Sequence, residues 1–510
     1  MQVEEYLARP FGTIPDLIRL HASRAPRHKA LVQDDRSMDY GELDRSMDRV
    51  AAALERDGPD GAGAIAICAA NSIEYAAVFL GALRGGFAVA PLAPSSPPEA
   101  IAAMAADAEA THFFLDDAAA KALEPVRSAI TARIVMLSAL DAWVGNATTP
   151  RPIHARPEGP FNIIYSSGTT GTPKGIVQPN VMRWTHVVRS AVYGYGLEAV
   201  ALISTPLYSN TTLVSFLPTI ALGGTVVLMA KFDATRYLEL AERHRVTHTM
   251  LVPVQYQRIM ALPDFGKYDL SAFHTKFSTS APFSAALKAD ILARWPGALN
   301  EYYGMTEGGG TCILFAREYP EKLHTVGRPA PGIELRLIDE DGCEVAPGEV
   351  GEVVGHSAAM MTGYHKRPEM TAKAEWIDAS GKRFIRTGDV GRFDADGFLV
   401  LLDRKKDLVI SGGFNVYPSD LEAVVAKHPD VAEVAVVGVA SAQWGETPVA
   451  FVVPRANASI DGEALRAWAN AQLGATQRIA AVEIVESLPR NAIGKVLKRE
   501  LRDEYARRTK

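Results

Sequence analysis

The sequence contains few cysteines and no long apolar run. Its three cysteines, Cys68, Cys312 and Cys343, are too widely spaced for a disulfide framework or a cysteine-based metal site. The apolar stretch over residues 216–230 includes a proline and two glycines and is too short to cross a bilayer. The first five residues have no basic region leading into an apolar one, so we expect no secretory signal. These absences favour a cytoplasmic, reduced protein.

A surplus of basic residues is also missing. Lys and Arg number 53 against 59 Asp and Glu, and the formal net charge is −6. Because nucleic-acid binding depends largely on cations that displace the counterions of the phosphates, we expect no nucleic-acid partner. The apolar fraction of 48% and the charged fraction of 22% are typical of folded globular proteins. A chain of 510 residues exceeds one ordinary hydrophobic core, which predicts more than one subdomain.

Apolar runs and helical patterns alternate between about residues 60 and 310, which predicts layered, parallel α/β structure. Beyond Gly332, glycine and acidic residues separate short apolar runs, which predicts a β-rich subdomain. The predicted strands include 64–68, 161–165, 200–205, 225–229, 334–338 and 351–354, and the predicted helices include 234–245 and 284–295.

The charged run Asp403-Arg404-Lys405-Lys406-Asp407 separates two apolar strands and is the predicted linker. We therefore expect an N-terminal domain over 1–402, a hinge over 403–407 and a small α+β C-terminal domain over 408–510. In the C-terminal domain we predict strands over 434–439 and 448–453. A capping box from Ser419 to Glu422 predicts the start of its first helix.

A run rich in glycine and hydroxyl groups follows the predicted strand 161–165. It reads Ser166-Ser167-Gly168-Thr169-Thr170-Gly171-Thr172-Pro173-Lys174-Gly175. Glycines let backbone N–H groups approach an anion, hydroxyls add donors, and Lys174 adds a compact positive charge. The run is not a Walker A motif, because Pro173 and Gly175 stand where that motif requires glycine and Ser or Thr. We interpret it as a phosphate-binding loop rather than an ordinary exposed turn.

Four further runs follow this loop in order along the chain: Tyr302-Tyr303-Gly304-Met305-Thr306-Glu307, Arg386-Thr387-Gly388-Asp389, the 403–407 run, and Pro489-Arg490-Asn491-Ala492-Ile493-Gly494-Lys495. Together they resemble the signature motifs of the adenylate-forming superfamily of acyl-CoA synthetases, nonribosomal-peptide adenylation domains and firefly luciferases. The resemblance covers nearly the whole chain and is closest to the aryl- and medium-chain acyl-CoA ligases. It implies an ATP-dependent acid–thiol ligase that forms an acyl-AMP intermediate and then an acyl-CoA thioester.

The resemblance implies ATP, Mg²⁺ and coenzyme A as the cofactors and a role for each motif residue. Lys495 would bridge the carboxylate and the α-phosphate, Thr306 would contact the α-phosphate, and Glu307 would bind Mg²⁺. Lys174 and its loop would hold the β- and γ-phosphates. Positioned positive charge is usually the largest catalytic contribution to a transfer of this kind.

The remaining nucleotide and thiol contacts also follow from the resemblance. Asp389 would accept from the ribose hydroxyls, with Arg404 near the ribose or the phosphate, and Tyr303 beside Gly304 would stack on adenine. The strand containing Gly412 and Gly413 would line the pantetheine tunnel, with Trp444 packed against the thiol arm. Lys406 would be the pivot about which a mobile C-terminal domain rotates between the two half-reactions.

Two places depart from the family pattern. Ser209 follows Pro206-Leu207-Tyr208 where many members have an aromatic residue or histidine, which puts a gating histidine in doubt. Gln477-Arg478-Ile479 replaces the lysine-containing sequence expected from the family, so the usual lysine contact to the CoA phosphates is either missing or supplied by Arg478.

The predicted acid pocket consists mainly of small and neutral residues, which favours an acid with an aromatic, alicyclic or branched apolar body of medium length. A freestanding enzyme that loads a carrier protein stays open as an alternative, as does a non-catalytic nucleotide-binding homologue. The oligomeric state, a homodimer included, and regulation by a lysine acyltransferase or deacylase acting on Lys495 also stay open. The resemblance places this pocket at Ser209, Val254, Ser280, Tyr302, Gly308 and Gly309.

Overall fold

The computed structural model describes residues 2–58, 63–166, 174–411, 414–474, 477–491 and 494–508. The chain forms two compact units. The first comprises Met1–His324, Ala330–Glu334 and His356–Ile385, and the second comprises Thr325–Pro329, Leu335–Gly355 and Arg386–Lys510. The predicted α/β class is confirmed, while the domain division at 402 and 408 stays a prediction.

Two mostly parallel sheets form the centre of the first unit. To the larger sheet this unit contributes, in spatial order, Thr311–Phe315, Ala298–Gly304, Thr275–Ser278, His248–Leu251, Val200–Ile203, Thr225–Leu228, Lys29–Gln33 and Arg36–Asp39. The smaller sheet has the order Gly363–Tyr364, Lys174–Pro179, Pro160–Ser166, Ala88–Pro91, Ala64–Cys68, Ala110–Leu115 and Arg133–Met136. A strand buried on both faces has a continuous apolar sequence, and Ala64–Cys68 is buried along its whole length. The strand Glu375–Ile377 pairs separately with residues 383–385.

Helices cover these sheets, and several begin where the sequence supplies a cap. The Asp39 carboxylate accepts from the backbone N–H of Glu42, and the Glu42 carboxylate accepts from the N–H of Asp39, at the start of Tyr40–Asp57. Ser284 caps the predicted helix 284–295. The helices of the first unit are Val3–Leu7, Ile14–Arg24, Tyr40–Asp57, Ile73–Arg84, Pro98–Asp107, Asp117–Leu123, Leu140–Val144, Asn180–Ser190, Asn210–Ala221, Ala234–Arg243, Pro253–Met260, Ala285–Arg294 and Pro368–Lys373.

The second unit is built mainly from antiparallel strands. Its helices are Pro418–Val425, Gly462–Asn470 and Lys498–Arg508. The strands that lie wholly or mostly in it are Arg328–Pro329, Ile333–Ile338, Gly351–Ser357, Arg383–Phe393, Leu399–Arg404, Val409–Ser411, Phe414–Val416, Val431–Ser441, Gly445–Pro454 and Ala481–Ile484. Within the described ranges, no helix combines the length and the apolar character needed to cross a membrane.

The predicted capping box at Ser419 is wrong. The helix begins at Pro418 and its N-cap residue is Tyr417, two residues before the predicted N-cap. Proline suits the first helical position. A backbone N–H at that position would have no acceptor within the helix, so its absence costs nothing, and the fixed φ of proline matches the helix. Ser419 instead donates its hydroxyl hydrogen to the carbonyl oxygen of Leu402. Glu422 accepts from the backbone N–H of Val436 at 2.8 Å.

The larger sheet brings the predicted acid pocket together. Four of its parallel strands lie side by side, and their carboxyl ends lead into the segments that contain Ser209, Val254, Ser280 and Thr306. In open α/β sheets, ligands bind outside the carboxyl ends of the strands. Residues about a hundred positions apart in the sequence therefore meet at one edge.

Candidate active site

Lys174 stands at the start of the strand Lys174–Pro179. This strand pairs antiparallel with Pro160–Ser166, and Ser166 lies opposite Lys174 in the register. The strand pairing therefore holds the two ends of the predicted phosphate loop together. The predicted loop residues Ser167, Gly168, Thr169, Thr170, Gly171 and Thr172, and the side chain of Ser166, lie outside the described residues.

Thr306 and Glu307 lie in a turn that requires glycine. Gly308 and Gly309 have φ angles of +76° and +86°, a region of backbone conformation that side chains with a Cβ rarely adopt. A Cβ on Gly308 would lie 2.7 Å from the carbonyl oxygen of Ala359. These glycines, which the sequence analysis assigned to the acid pocket, thus also set the path of the backbone beside Glu307.

A buried polar network lies behind Thr306. The Gln178 amide donates to the Thr306 carbonyl oxygen at 2.6 Å and to Asn210 Oδ1 at 3.2 Å. The Arg183 guanidinium donates to Gln178 Oε1, and to Asn210 Oδ1 at 2.8 Å. Burial lowers the pKa of Arg183 to about 9. This network leaves no recognisable pattern in the sequence, because its members are separated along the chain and belong to no motif.

Tyr364 contacts both of the predicted catalytic residues that carry a charge in the first unit, Lys174 and Glu307. Its hydroxyl donates to Glu307 Oε1 at 2.9 Å, and the Lys174 Nζ lies 5.2 Å from the centroid of its ring. Burial and the neighbouring Glu307 carboxylate raise the pKa of the Tyr364 phenol, so the hydroxyl stays a donor. Tyr364 was not among the predicted site residues.

The donor set at Glu307 fits magnesium. Mg²⁺ prefers oxygen ligands and is commonly held by one or two carboxylates together with substrate phosphates and water. In the part of the chain that the structure describes, no group of three or more His, Cys, Asp or Glu side chains could hold a metal ion. A single carboxylate at Glu307 therefore suits a metal ion that arrives bound to a nucleotide. The metal ion would help to neutralise the charge of the phosphates.

The predicted pocket residues on the larger sheet differ in how their side chains are used. Ser209 is buried and caps the helix Asn210–Ala221, accepting from the N–H of Thr211 at 3.3 Å. Ser280 has a φ of +80°, which is unusual for a residue other than glycine. Its hydroxyl lies 2.5 Å from the hydroxyl of Thr211. Val254, in the first turn of Pro253–Met260, is partly buried.

Tyr302 belongs to an aromatic cluster at the same sheet edge. Its ring stacks on Phe277, with ring centroids 5.5 Å apart and an interplanar angle of 15°. Tyr193 meets Phe277 edge-on at 5.4 Å. Tyr303 and Gly304 follow on the same strand, where Tyr303 is buried and pairs with Cys312. The stacking of Tyr303 on adenine stays a prediction.

The second unit contains the predicted ribose contacts Asp389 and Arg404 and the predicted catalytic residue Lys495. Asp389 and Arg404 are partners on neighbouring antiparallel strands, and their side chains form an ion pair at 2.9 Å. The backbone N–H of Lys405 donates to the carbonyl oxygen of Gly388 at 2.8 Å, which holds the end of the pair in place. This ion pair orients the Asp389 carboxylate, whose oxygens can accept hydrogen bonds from hydroxyl groups.

Lys495 lies in a tight turn with these two residues nearby. The Arg490 guanidinium donates to the Gly494 carbonyl oxygen at 2.7 Å, and the Asn491 side chain accepts from the Lys495 N–H at 2.9 Å. Gly494 has a φ of +77°, which the turn requires. Burial, and then the positive charges of Arg404 and Lys406, lower the pKa of the Lys495 ammonium to about 8.

Of the predicted hinge, Asp403 and Arg404 end the strand Leu399–Arg404, and residues 405–407 form a turn before Val409–Ser411. Lys406 is exposed in it, while Asp407 is held by Arg502 at 2.6 Å. Trp444 lies in the turn before Gly445–Pro454 and is half exposed. Gly412 and Gly413, predicted for the pantetheine tunnel, lie outside the described residues. The roles of Lys406 and Trp444 stay predictions.

The chain matches two family descriptions. "AMP-binding enzyme" matches residues 18–365, and "AMP-binding enzyme C-terminal domain" matches residues 420–495. The chain is 31% identical to a fatty acid–[acyl-carrier-protein] ligase, ScoC, of Streptomyces coeruleorubidus, over 97% of this chain and 96% of that protein. It is also 31% identical to an indoleacetate–CoA ligase of Aromatoleum aromaticum, over 97% and 99% of the two chains. The solved structure of ATP-bound MatB from Rhodopseudomonas palustris matches with a TM-score of 0.87 and 28% identity, over 97% and 100% of the two chains.

The chain therefore belongs to the AMP-binding enzyme family. It is an AMP-forming acyl-CoA ligase, an ATP-dependent enzyme that forms an acyl-AMP intermediate and uses Mg²⁺ and coenzyme A. The prediction of a ligase is thereby confirmed, and the reading as a non-catalytic homologue is set aside.

Proposed function

We propose that the acid substrate has an aromatic, alicyclic or branched body of medium length, and that acetate and dicarboxylates are poor substrates. The observation that carries this proposal is the aromatic cluster of Tyr302, Phe277 and Tyr193 at the sheet edge where the predicted pocket residues meet. Aromatic rings stabilise a flat or apolar body by burial and by stacked or edge-on contacts. The predicted pocket residues include no cation to pair with a second carboxylate.

A pair of hydroxyl groups and two relatives of this chain bear on the same substrate class. The paired hydroxyls of Thr211 and Ser280 add a polar spot to an otherwise apolar lining. The similarity to an indoleacetate–CoA ligase favours an aryl acid, and the similarity to a fatty acid ligase favours an extended chain. An acid with a medium-sized apolar body fits both.

We also propose the division of work among the charged residues. Lys174 neutralises the outer phosphates of ATP, Glu307 holds Mg²⁺, and Asp389 orients the ribose. Lys495 neutralises the negative charge that builds up as the carboxylate and the α-phosphate join. Its burial beside Arg404 and Lys406 supports this role, because an arriving anion stabilises a buried ammonium near other cations more than an exposed one.

The acid proposal is tested by steady-state pyrophosphate release with indoleacetate, phenylacetate, cyclohexanecarboxylate and octanoate against acetate and malonate. We expect kcat/KM for the best apolar acid to exceed that for acetate by about 100-fold, roughly 2.7 kcal/mol of added burial. Tyr302→Ala should lower kcat/KM for the aryl acids and leave the low acetate value unchanged, so that acetate serves as the internal control. The proposal fails if acetate or malonate is the best substrate of the unaltered enzyme.

A carrier protein is the second candidate acceptor, and the similarity to ScoC favours it. The acceptor is distinguished by following acyl transfer from acyl-AMP to free coenzyme A and to a phosphopantetheinylated carrier protein in parallel. Thioester on the carrier at a rate comparable with that on coenzyme A would establish the second candidate. Transfer to coenzyme A alone would remove it.

We further propose that the enzyme works in the cytoplasm and that acylation of Lys495 regulates it. A lowered pKa leaves more of this amine neutral and nucleophilic near neutral pH than an ordinary lysine. Acylation would remove the charge that adenylation requires. Mass spectrometry of protein from the native host tests this, and Lys495 unmodified under every growth condition would contradict it.

A further inference from the structure

Residues 360–365 form a short segment that contacts both halves of the site in the first unit; we call it the bridging segment. At one end, the N–H of Met361 donates to the Glu307 carbonyl oxygen at 2.8 Å, and Met360 forms a β-bridge with Gly308. At the other end, the N–H of His365 donates to the carbonyl oxygen of Gly175 at 2.7 Å. The bridging segment therefore joins the turn of Glu307 to the strand of Lys174 by backbone hydrogen bonds.

Tyr364 is the residue of the bridging segment whose side chain faces both charged groups. Its backbone pairs with Ile176, two residues after Lys174, so the tyrosine cannot shift without the lysine strand. Its hydroxyl reaches Glu307 Oε1 at 2.9 Å, and its ring lies below the Lys174 ammonium at 5.2 Å. A tyrosine combines a hydrogen-bond donor with a ring face for a cation, and phenylalanine keeps only the ring.

We propose that Tyr364 is a positioning residue that orients the Glu307 carboxylate for magnesium and holds the Lys174 ammonium at a set distance from it. This inference rests on the proposed roles of Lys174 and Glu307. A hydrogen bond to one carboxylate oxygen fixes the rotation of the carboxylate, and the other oxygen would then face a bound metal in a set orientation. Partners of this kind behind a metal ligand commonly change metal affinity by about 10- to 100-fold when removed.

Two substitutions distinguish the hydrogen bond of Tyr364 from the contact of its ring with Lys174. Tyr364→Phe removes the donor and keeps the ring, so it should disturb the magnesium response and spare the contact with Lys174. Tyr364→Leu removes both, so it should also weaken the binding of ATP without metal. Tyr237→Phe is the matched control, because it removes a buried tyrosine hydroxyl that donates to Thr249 at 2.8 Å within the same unit.

The experiment measures ATP binding to the full chain by titration calorimetry, once with Mg²⁺ and once with EDTA. For Tyr364→Phe we expect an unchanged affinity in EDTA and a loss of about tenfold in the enhancement that Mg²⁺ provides. The Mg²⁺ concentration for half-maximal pyrophosphate release should rise by a similar factor. In a Glu307→Gln background, Tyr364→Phe should change neither quantity further.

The proposal is overturned if Tyr364→Phe shows the unaltered magnesium response, or if Tyr237→Phe shifts it equally. It is also overturned if the effect of Tyr364→Phe persists in full without the Glu307 carboxylate. Failure of the proposed acid class would appear differently, as an unexpected best acid for the unaltered enzyme. Calorimetry needs no acid, so it tests Tyr364 in either case.

Discussion

The two predicted catalytic lysines are held in different ways. Lys174 begins a strand that is paired on both sides, and its ammonium lies over the ring of Tyr364. Lys495 lies in a turn held by Arg490 and Asn491, where burial and then nearby cations lower its pKa to about 8. The first lysine is part of a sheet and the second is part of a loop.

This difference separates two demands on positive charge. Outer phosphates carry their charge before and after the reaction, so a cation that holds them needs only a constant position. The joining of carboxylate and α-phosphate concentrates negative charge for a short time, so a cation there matters chiefly at that one step. A sheet suits the first demand, and a small loop on a separate unit suits the second.

The largest effect is expected at Lys495. Lys495→Ala should reduce adenylation by about 100- to 1000-fold, because it removes charge that matters chiefly in the transition state. Thioester formation from supplied acyl-AMP should stay nearly unchanged. Single-turnover assays of each half-reaction measure both, with the exposed Lys427→Ala as control. Equal losses in the two half-reactions would contradict the division between the lysines.

Lys174 should affect binding more than chemistry. Lys174→Ala should raise the KM for ATP by about 10- to 100-fold, the loss expected for one charge-assisted contact. Lys366→Ala is a matched control, because Lys366 pairs with Glu109 at the surface of the same unit at 2.6 Å. If kcat fell and the KM for ATP did not change, Lys174 would act as Lys495 does, and the comparison would fail.

The smallest expected effect is a pH dependence of adenylation that arises from the titration of Lys495. An ammonium is charged below its pKa, so kcat/KM for adenylation should fall above the Lys495 pKa of about 8 and lose about tenfold for each further pH unit. Lys495→Arg should remove this fall while lowering the plateau, since a guanidinium stays protonated. An unaltered enzyme with constant kcat/KM up to pH 10 would show that another environment surrounds Lys495 during the reaction.

Much of the fold was predictable, because strands buried on both faces have a recognisable apolar sequence. Predicted strands 64–68 and 225–229 appear as Ala64–Cys68 and Thr225–Leu228, and predicted helix 234–245 appears as Ala234–Arg243. The capping box at Ser419 failed for a local reason, since Pro418 is a better first residue of the helix. Boundaries depend on such competition between neighbouring residues.

Site residues that belong to continuous sequence motifs were predictable, and those outside such motifs were not. Lys174, Glu307, Asp389 and Lys495 belong to ordered motifs, whereas Tyr364 follows a glycine in a short strand that no motif marks. The buried network of Gln178, Arg183 and Asn210 was hidden for the same reason. A hydrogen bond between residues 57 positions apart, as from Tyr364 to Glu307, leaves no periodic trace in a sequence.

By itself, the amino-acid sequence determined the class of fold, the order of the motifs and the kind of chemistry, because apolar periodicity and dense runs of glycine, hydroxyl and lysine are local properties. Tertiary structure alone decided that Tyr364 stands between Lys174 and Glu307, and that burial and nearby cations lower the pKa of Lys495. The physical reason is that electrostatic and hydrogen-bond energies depend on distance in space, which chain separation does not specify.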